Sequence, residues 1–340
     1  MSSLASLLFL TVAVPQELAS PPVLAEAVTV ERVMVDTRVL HRGRAVHGLR
    51  PENFRVRIDG DRAELLSVTW ISARGAEPRP AVGGSRAEPS ADLPPPVRGR
   101  LVVLFFQKAL RPGRTGGLIR LLKESRRMIA RFGPEDRVAI LSLDTHLKLW
   151  RDFTADKDSL DRALESDVMF KERPRYVEPG PDPSLAAHLG LEDSRRAATP
   201  ETALRLIGEA LREVPGSKTL VFFGLRMGEL RGGSVIFHGD YNVARRALLE
   251  AGVTVFTLDV TDADYHTLEV GLQDIAAETG GFYARTHNFS GQAVSRLEEA
   301  LEGHYVLEVV HPGGPSGRHK IDVDLVDGSG RVLARKAYFD

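Results

Sequence analysis

Arg100-Leu101-Val102-Val103-Leu104-Phe105-Phe106-Gln107-Lys108-Ala109-Leu110-Arg111 is the stretch on which the fold turns. A continuous apolar run from Leu101 to Phe106, rich in Val and Phe, reads as a strand buried on both faces. Arg111-Pro112-Gly113-Arg114 then reads as a loop, and Leu118, Leu121, Leu122, Ser125, Ile129 and Phe132 recur at helical spacing, predicting a helix from near Thr115. Strand, loop and helix in that order open a doubly wound α/β sheet, and such sheets bind ligands at the carboxyl ends of their strands. Here that end carries Gln107, Ala109 and Arg111 rather than carboxylates and hydroxyls.

Downstream the alternation continues. Arg137–Leu143 is a strand, with a hairpin partner from His146 to Trp150, and a short helix runs from Asp158 to Leu164. Residues 167–198 are polar and proline-rich and read as an insertion or mobile loop. Thr199-Pro200-Glu201 is a helix start, with Thr as cap and Pro in the first turn. Thr219–Phe223 and Val253–Val260 are buried strands, a helix ending at Gly252 lies between them, and a helix with Leu268, Leu272 and Ile275 follows. Phe282–Ala284 is a short strand, and Ser290 caps a last helix. Strands separated by helices imply right-handed crossovers and a mainly parallel, Rossmann-like sheet over residues 99–303.

The flanks are all-β. Val28 to Ile71 alternates apolar and polar residues, with Gly43, Gly48 and Asp59-Gly60 as turns. Tyr305–Val310, His319–Val326 and Arg331–Phe339 read as three more strands. Neither segment has strands enough to bury a face alone. Residues 28–72 and 304–340 are therefore expected to form one split, β-sandwich-like unit with the α/β domain inserted in it. Between them, 73–98 is a linker rich in Pro, Gly and Ala. Residues 1–27 carry an apolar run from Leu4 to Val14 and an Ala25-Glu26-Ala27 cleavage pattern, which predicts a signal peptide or leader and hence export to the periplasm, the cell surface or outside the cell.

Bulk properties narrow the function classes. The 340 residues hold no cysteine, which excludes disulfides, thiolate catalysis and thiolate zinc sites. A formal net charge of −1 gives no reason to expect nucleic acid, and no stretch is long and apolar enough to span a membrane. The ten histidines are scattered without a zinc-protease pattern, and Gly224-Leu225-Arg226-Met227-Gly228 lacks the serine of a nucleophile elbow. No nucleotide-binding glycine motif and no cofactor motif occurs. Asp259, Asp262 and Asp264 form at best a weak calcium loop and read as solvated turn carboxylates.

Several short motifs together resemble a known family. They are Val35-Asp36, Gly48-Leu49, Glu52-Asn53-Phe54 and Asp59-Gly60, then Asp136-Arg137-Val138-Ala139, Asp152-Phe153-Thr154 and Ala276-Ala277-Glu278-Thr279-Gly280-Gly281, and finally His304-Tyr305-Val306-Leu307. In order and spacing the chain is similar to the bacterial, acidobacterial-type von Willebrand factor A-related domain proteins over most of Val28 to Phe339. The resemblance implies an A-type domain with β segments on either side. It also implies a metal-ion-dependent adhesion site, whose Asp-x-Ser-x-Ser motif would fall on Gln107, Ala109 and Arg111, whose threonine would be Thr199 or Thr202, and whose central-strand Asp would fall near Gly224–Arg226. That ligand set is degenerate here, because Mg²⁺ requires hard oxygen donors with carboxylate charge. The expectation is a non-enzymatic, metal-independent interaction or adhesion module with a protein partner. Its rim would be formed by Gln107, Lys108, Arg111, Arg114 and Arg226, with guanidinium groups receiving an acidic side chain. A structural module of a cell-surface complex and, further off, a hydrolase are the alternatives.

Overall fold

The computed structural model describes residues 30–73, 99–109, 112–237, 239–261, 266–312 and 315–340. The leader expected at 1–27 and the linker from 74 to 98 lie outside them, as do Arg111, Asp262 and Asp264.

The first segment gives β1 (Val30–His41), β2 (Arg44–Ala45), β3 (Phe54–Ile58), β4 (Asp61–Arg62) and β5 (Glu64–Ser72). Both hairpin turns, Arg42-Gly43 and Asp59-Gly60, have two successive residues at positive φ (50° and 83°, 52° and 96°). That is the twist-matched two-residue turn, and the sequence places a glycine second in each.

The middle of the chain runs β6 (Leu101–Gln107), α1 (Pro112–Ala130), β7 (Arg137–Leu143), β8 (Leu147–Thr154), α2 (Lys157–Arg162), α3 (Val168–Phe170), α4 (Leu191–Arg196), α5 (Pro200–Arg212), β9 (Lys218–Gly224), β10 (Glu229–Arg231), β11 (Ser234–Ile236), α6 (Asp240–Glu250), β12 (Val253–Asp259), α7 (Val270–Glu278), β13 (Tyr283–Arg285) and α8 (Ser290–Leu301). Six of these strands form one sheet in the order β13-β12-β9-β6-β7-β8, parallel throughout except for the antiparallel β7–β8 hairpin. Every residue of β6 is buried because both faces are covered. Val102, Leu104 and Phe106 pack with Leu118, Leu121 and Ile129 of α1 and Leu297 of α8. Leu101, Val103 and Phe105 pack with Leu204, Ile207 and Leu211 of α5 and Leu248 of α6. The period of two in the strand thus meets helices on alternate sides. Adjacent β6 and β9 stack Phe105 on Phe222 and Phe106 on Phe223 at centroid distances of 4.9 and 4.3 Å. Each such pair adds about 1 kcal/mol beyond area burial.

Three local expectations are corrected. Helix α1 starts at Pro112, earlier than Thr115, since proline lacks only an N–H that a first turn does not need. Ser290 is the first residue of α8 and not its cap, and no side chain caps that end. The insertion at 167–198 is tied down in its second half. The Asp152 carboxylate accepts from Ser184 Oγ (2.6 Å), Leu185 N (2.7 Å) and Ala186 N (3.3 Å), and Leu185 is fully buried.

The last segment gives β14 (Gly303–Pro312), β15 (Arg318–Leu325), β16 (Arg331–Ala334) and β17 (Ala337–Phe339). Strand β14 pairs antiparallel with β1 and β5, β16 with β1, and β15 with β3 and β17. Two small sheets result, β16-β1-β14-β5 and β17-β15-β3-β4, each built from both ends of the sequence. They share one core containing Val35, Phe54, Ile58, Tyr305, Leu307 and Ile321. The expected single strand from Arg331 to Phe339 is broken at Arg335-Lys336, where the chain leaves one sheet for the other. Tyr305, 1% exposed, donates to Val46 O (2.8 Å) and accepts from Leu49 N (3.1 Å), so its buried hydroxyl is satisfied.

These paired strands sit against the amino ends of the parallel strands. Arg38 of β1, buried, donates through Nε to Ala300 O (3.0 Å), through Nη1 to Thr254 Oγ1 (3.0 Å) and through Nη2 to Thr219 Oγ1 (3.4 Å). Thr219 and Thr254 begin β9 and β12, so the opposite, carboxyl ends of the sheet are left uncovered by the β segments.

Candidate functional site: the carboxyl rim of the parallel sheet

At the carboxyl end of β6, Gln107 is buried rather than solvated. Its Oε1 accepts from Leu225 N (2.8 Å) and Arg226 N (3.2 Å), the first residues after β9. One amide side chain therefore ties the ends of two central strands together. Lys108 is also buried, and its Nζ lies 3.5 Å from Asp144 at the end of β7. Asp144 is shared with Lys148, whose Nζ donates to it at 2.7 Å. Burial alone would raise the Asp144 pKa. The Lys148 hydrogen bond, the Thr145 backbone N–H and the charges of both lysines outweigh it and hold Asp144 down to about 2. Burial, partly countered by Asp144, lowers Lys108 below the ordinary lysine value.

A cavity of about 390 Å³ opens here, lined by Gln107, Lys108, Asp144, Thr199, Glu201 and Arg226 among others. Thr199 caps α5 by accepting from Thr202 N (3.2 Å), and Thr202 Oγ1 in turn donates to Asp240 Oδ2 (2.7 Å). Glu201, in the first turn of that helix, is fully buried. Its Oε1 accepts from Gly228 N (2.6 Å), and its Oε2, also buried, has no hydrogen-bond partner among the described residues.

Of the five rim residues expected from sequence, the structure brings Gln107, Lys108 and Arg226 together around this cavity. Arg226 is exposed there. Arg111 lies outside the described residues, and for Arg114 only its place in α1 is described. The sequence reading missed Glu201, Asp144 and Lys148. For Glu201 the signal was present, since Thr199-Pro200-Glu201 puts an acid in a first turn that the sheet topology aims at the rim. Asp144 and Lys148 sit in an ordinary-looking hairpin turn, and nothing in that turn distinguishes them.

A second polar cluster closes the end of β12. Asp259, His266 and Glu269 each offer a ligand atom within 4.8 Å of the others. Asp259 is 1% exposed and not the solvated turn carboxylate expected. It accepts from Thr261 N (2.9 Å), contacts His266 Nε2 (2.8 Å) and lies 2.9 Å from the Tyr283 hydroxyl. Glu269 takes Arg285 through both oxygens (3.1 and 2.5 Å) and the Tyr283 hydroxyl (2.8 Å). Burial and the two neighbouring carboxylates drive the Tyr283 pKa upward and keep the phenol protonated. Arg285 already supplies the positive charge that a cation would bring.

No protein-family model and no curated protein matches the sequence. Among solved structures the chain is similar to the human COPII-coat protein Sec24c, at 11% identity and TM-score 0.42, over 71% of this chain and 43% of that one. It is also similar to a von Willebrand factor type A protein from Catenulispora acidiphila (10%, 0.42, 88% of this chain and 74% of that one). A third is the ArnB paralog VWA2 from Sulfolobus acidocaldarius (8%, 0.37, 91% and 76%). The chain thus spans less than half of the Sec24c chain it matches. These likenesses concern the fold alone, which the strand order and register already give as a doubly wound, mainly parallel α/β sheet.

Proposed function

We propose that this chain is an exported, non-enzymatic protein-interaction module of the von Willebrand A type whose rim works without a metal ion. The observation that carries the reading is the pair of hydrogen bonds from Leu225 N and Arg226 N to Gln107 Oε1. The ends of β6 and β9 are joined by a neutral amide, and that amide's acceptor is used up. The other oxygens of an adhesion-type metal site are used up as well. Thr199 and Thr202 bond to each other (2.8 Å), Thr202 donates to Asp240, and Gly224 at the end of β9 has no side chain to offer. Of the three carboxylates lining the cavity, Asp144 is held by Lys108 and Lys148 and Glu229 by Arg231, which leaves Glu201 Oε2 as the one uncommitted carboxylate oxygen, in a cavity that Lys108 and Arg226 also line. One uncommitted carboxylate, beside two that are already ion-paired and two cations in the lining, does not offset the cost of stripping water from Mg²⁺. The residues present do not fit the metal.

The same arrangement suits a polar protein ligand. Arg226, with Arg111 and Arg114 placed on the rim by sequence, would take a carboxylate of the partner. In this reading residues 28–72 and 304–340 make a β-sandwich-like unit that braces the far end of an A-type domain at 99–303, after a leader at 1–27 and a linker at 73–98. The test is capture of the partner from the native envelope fraction on the immobilised protein. The retained protein should survive a chelator, elute with about 0.5 M salt, and be lost with Arg226→Glu. Elution by chelator, or full retention by Arg226→Glu, would overturn the reading.

A further inference from the structure

Beside the rim, on the outer edge of the sheet, runs a second concavity. It measures about 730 Å³ and lies between the start of β8, the extended stretch before Leu185, and α4. Four cationic side chains line it, those of Lys148, Arg173, Arg175 and Arg195, and no carboxylate does. Lys148 is committed to Asp144 and Arg195 to Glu192. Arg173 and Arg175 are exposed and make no ion pair with any described residue. Leu149 and Leu189, both half-buried, form apolar wall, and Tyr176 stands 77% exposed at its side. His146, also in the lining, feels the local field. Burial lowers its pKa first, and Lys148, Arg195 and Arg173 lower it further.

Among the described residues β8 is the last strand of the six-stranded sheet and pairs with β7 alone. Leu147 and Lys148 are buried, so the strand meets the groove at half-buried Leu149. An extended chain laid in the groove turns its alternate side chains to the same wall. Arginines that make no ion pair with any described residue, beside an aliphatic wall, are complementary to one kind of occupant.

We propose that the groove along β8 binds an extended acidic peptide segment of a partner protein, with its carboxylates on Arg173 and Arg175 and its alternate apolar side chains against Leu149 and Leu189. A nucleic acid would use the cations but not the aliphatic wall, and the chain's net charge of −1 offers no further attraction for it. The site is separate from the rim cavity and does not depend on how the rim works, although the Asp144–Lys148 pair joins the two.

The test uses the full chain and a fluorescein-labelled octapeptide alternating Glu and Leu, read by anisotropy. An all-Glu octapeptide, an oligothymidylate of equal charge and phosphatidylserine vesicles serve as competing probes. The alternating peptide should bind saturably and more tightly than each of the other three. Its affinity should fall ~10-fold or more in the double variant Arg173→Glu/Arg175→Glu, whose positions are exposed and leave the thermal midpoint in place. Bound peptide should also slow amide exchange at Leu149, which a purely ionic contact with Arg173 and Arg175 would not do. Preference for the oligothymidylate or the vesicles would overturn the proposal. So would absence of peptide binding, binding indifferent to the double variant, or unchanged exchange at Leu149.

Discussion

The two ends of the parallel sheet handle buried charge in opposite ways. At the amino ends, charge fastens. Arg38 crosses from β1 into the sheet and spends its donors on Ala300, Thr254 and Thr219, while Asp36, Lys218 and His304 lie close by without full pairing. Burial lowers Lys218 to about 8 and His304 to about 4, and His304 Nε2 is 3.6 Å from Asp36, too long for a hydrogen bond. At the carboxyl ends the strand tips are tied by a neutral amide, and the charged groups line open cavities. The lesson is that the closed end spends a buried cation on neutral acceptors that fasten a joint, whereas the open end pairs charge with charge, Asp144 with Lys108 and Lys148 and Glu269 with Arg285.

The largest expected effect breaks the closed end. Arg38→Ala strands two threonine hydroxyls and a carbonyl and removes a buried cation that acts on Asp36, so unfolding in denaturant should show a loss of about 3–5 kcal/mol. Arg38→Met should cost less, because it fills the space without a charge to desolvate.

A smaller effect at the same end comes from pH. His304 has a folded pKa below its unfolded value, so the unfolded chain binds the proton first. Stability is therefore full above about pH 6.5 and is lost as the pH falls towards the folded value of about 4. Roughly 2 kcal/mol should disappear between pH 6.5 and 5, and His304→Phe should flatten that slope. An unchanged slope would place the acid sensitivity elsewhere.

At the open end the expected losses shrink. Gln107→Ala leaves Leu225 N and Arg226 N without their acceptor and should cost about 1–2 kcal/mol, with faster amide exchange at those two positions. Glu201→Gln keeps an acceptor for Gly228 N and removes the unpartnered charge, so stability should change by less than about 1 kcal/mol. An ordinary cost for Arg38→Ala together with a large cost for Glu201→Gln would reverse the contrast between the two ends.

Much of this was legible in the sequence. The run from Leu101 to Phe106 announced a strand covered on both faces, since only a two-sided burial tolerates apolar residues at every position. The pairing of the two chain ends followed from counting strands. The break at Arg335-Lys336 did not, because Arg331 to Phe339 holds no Gly or Pro to mark it, and only pairing of β17 with β15 divides the segment. The rim was legible by position but not by state. Gln107 and Lys108 are polar residues next to a loop and so read as exposed, yet partners more than thirty positions away, Asp144 and Leu225, draw them under cover. Asp259 misled for the same reason, its partners Tyr283 and His266 coming from elements whose meeting no local pattern encodes.

The proposal that the rim works without a metal is most directly tested by calorimetric titration of the protein, freed of bound ions by chelator, with Mg²⁺, Mn²⁺ and Ca²⁺. Wild type and Glu201→Gln should give superimposable traces with no saturable heat assignable to the rim. Micromolar binding in the wild type that vanishes in Glu201→Gln or Gln107→Ala would contradict that and restore a metal-dependent site.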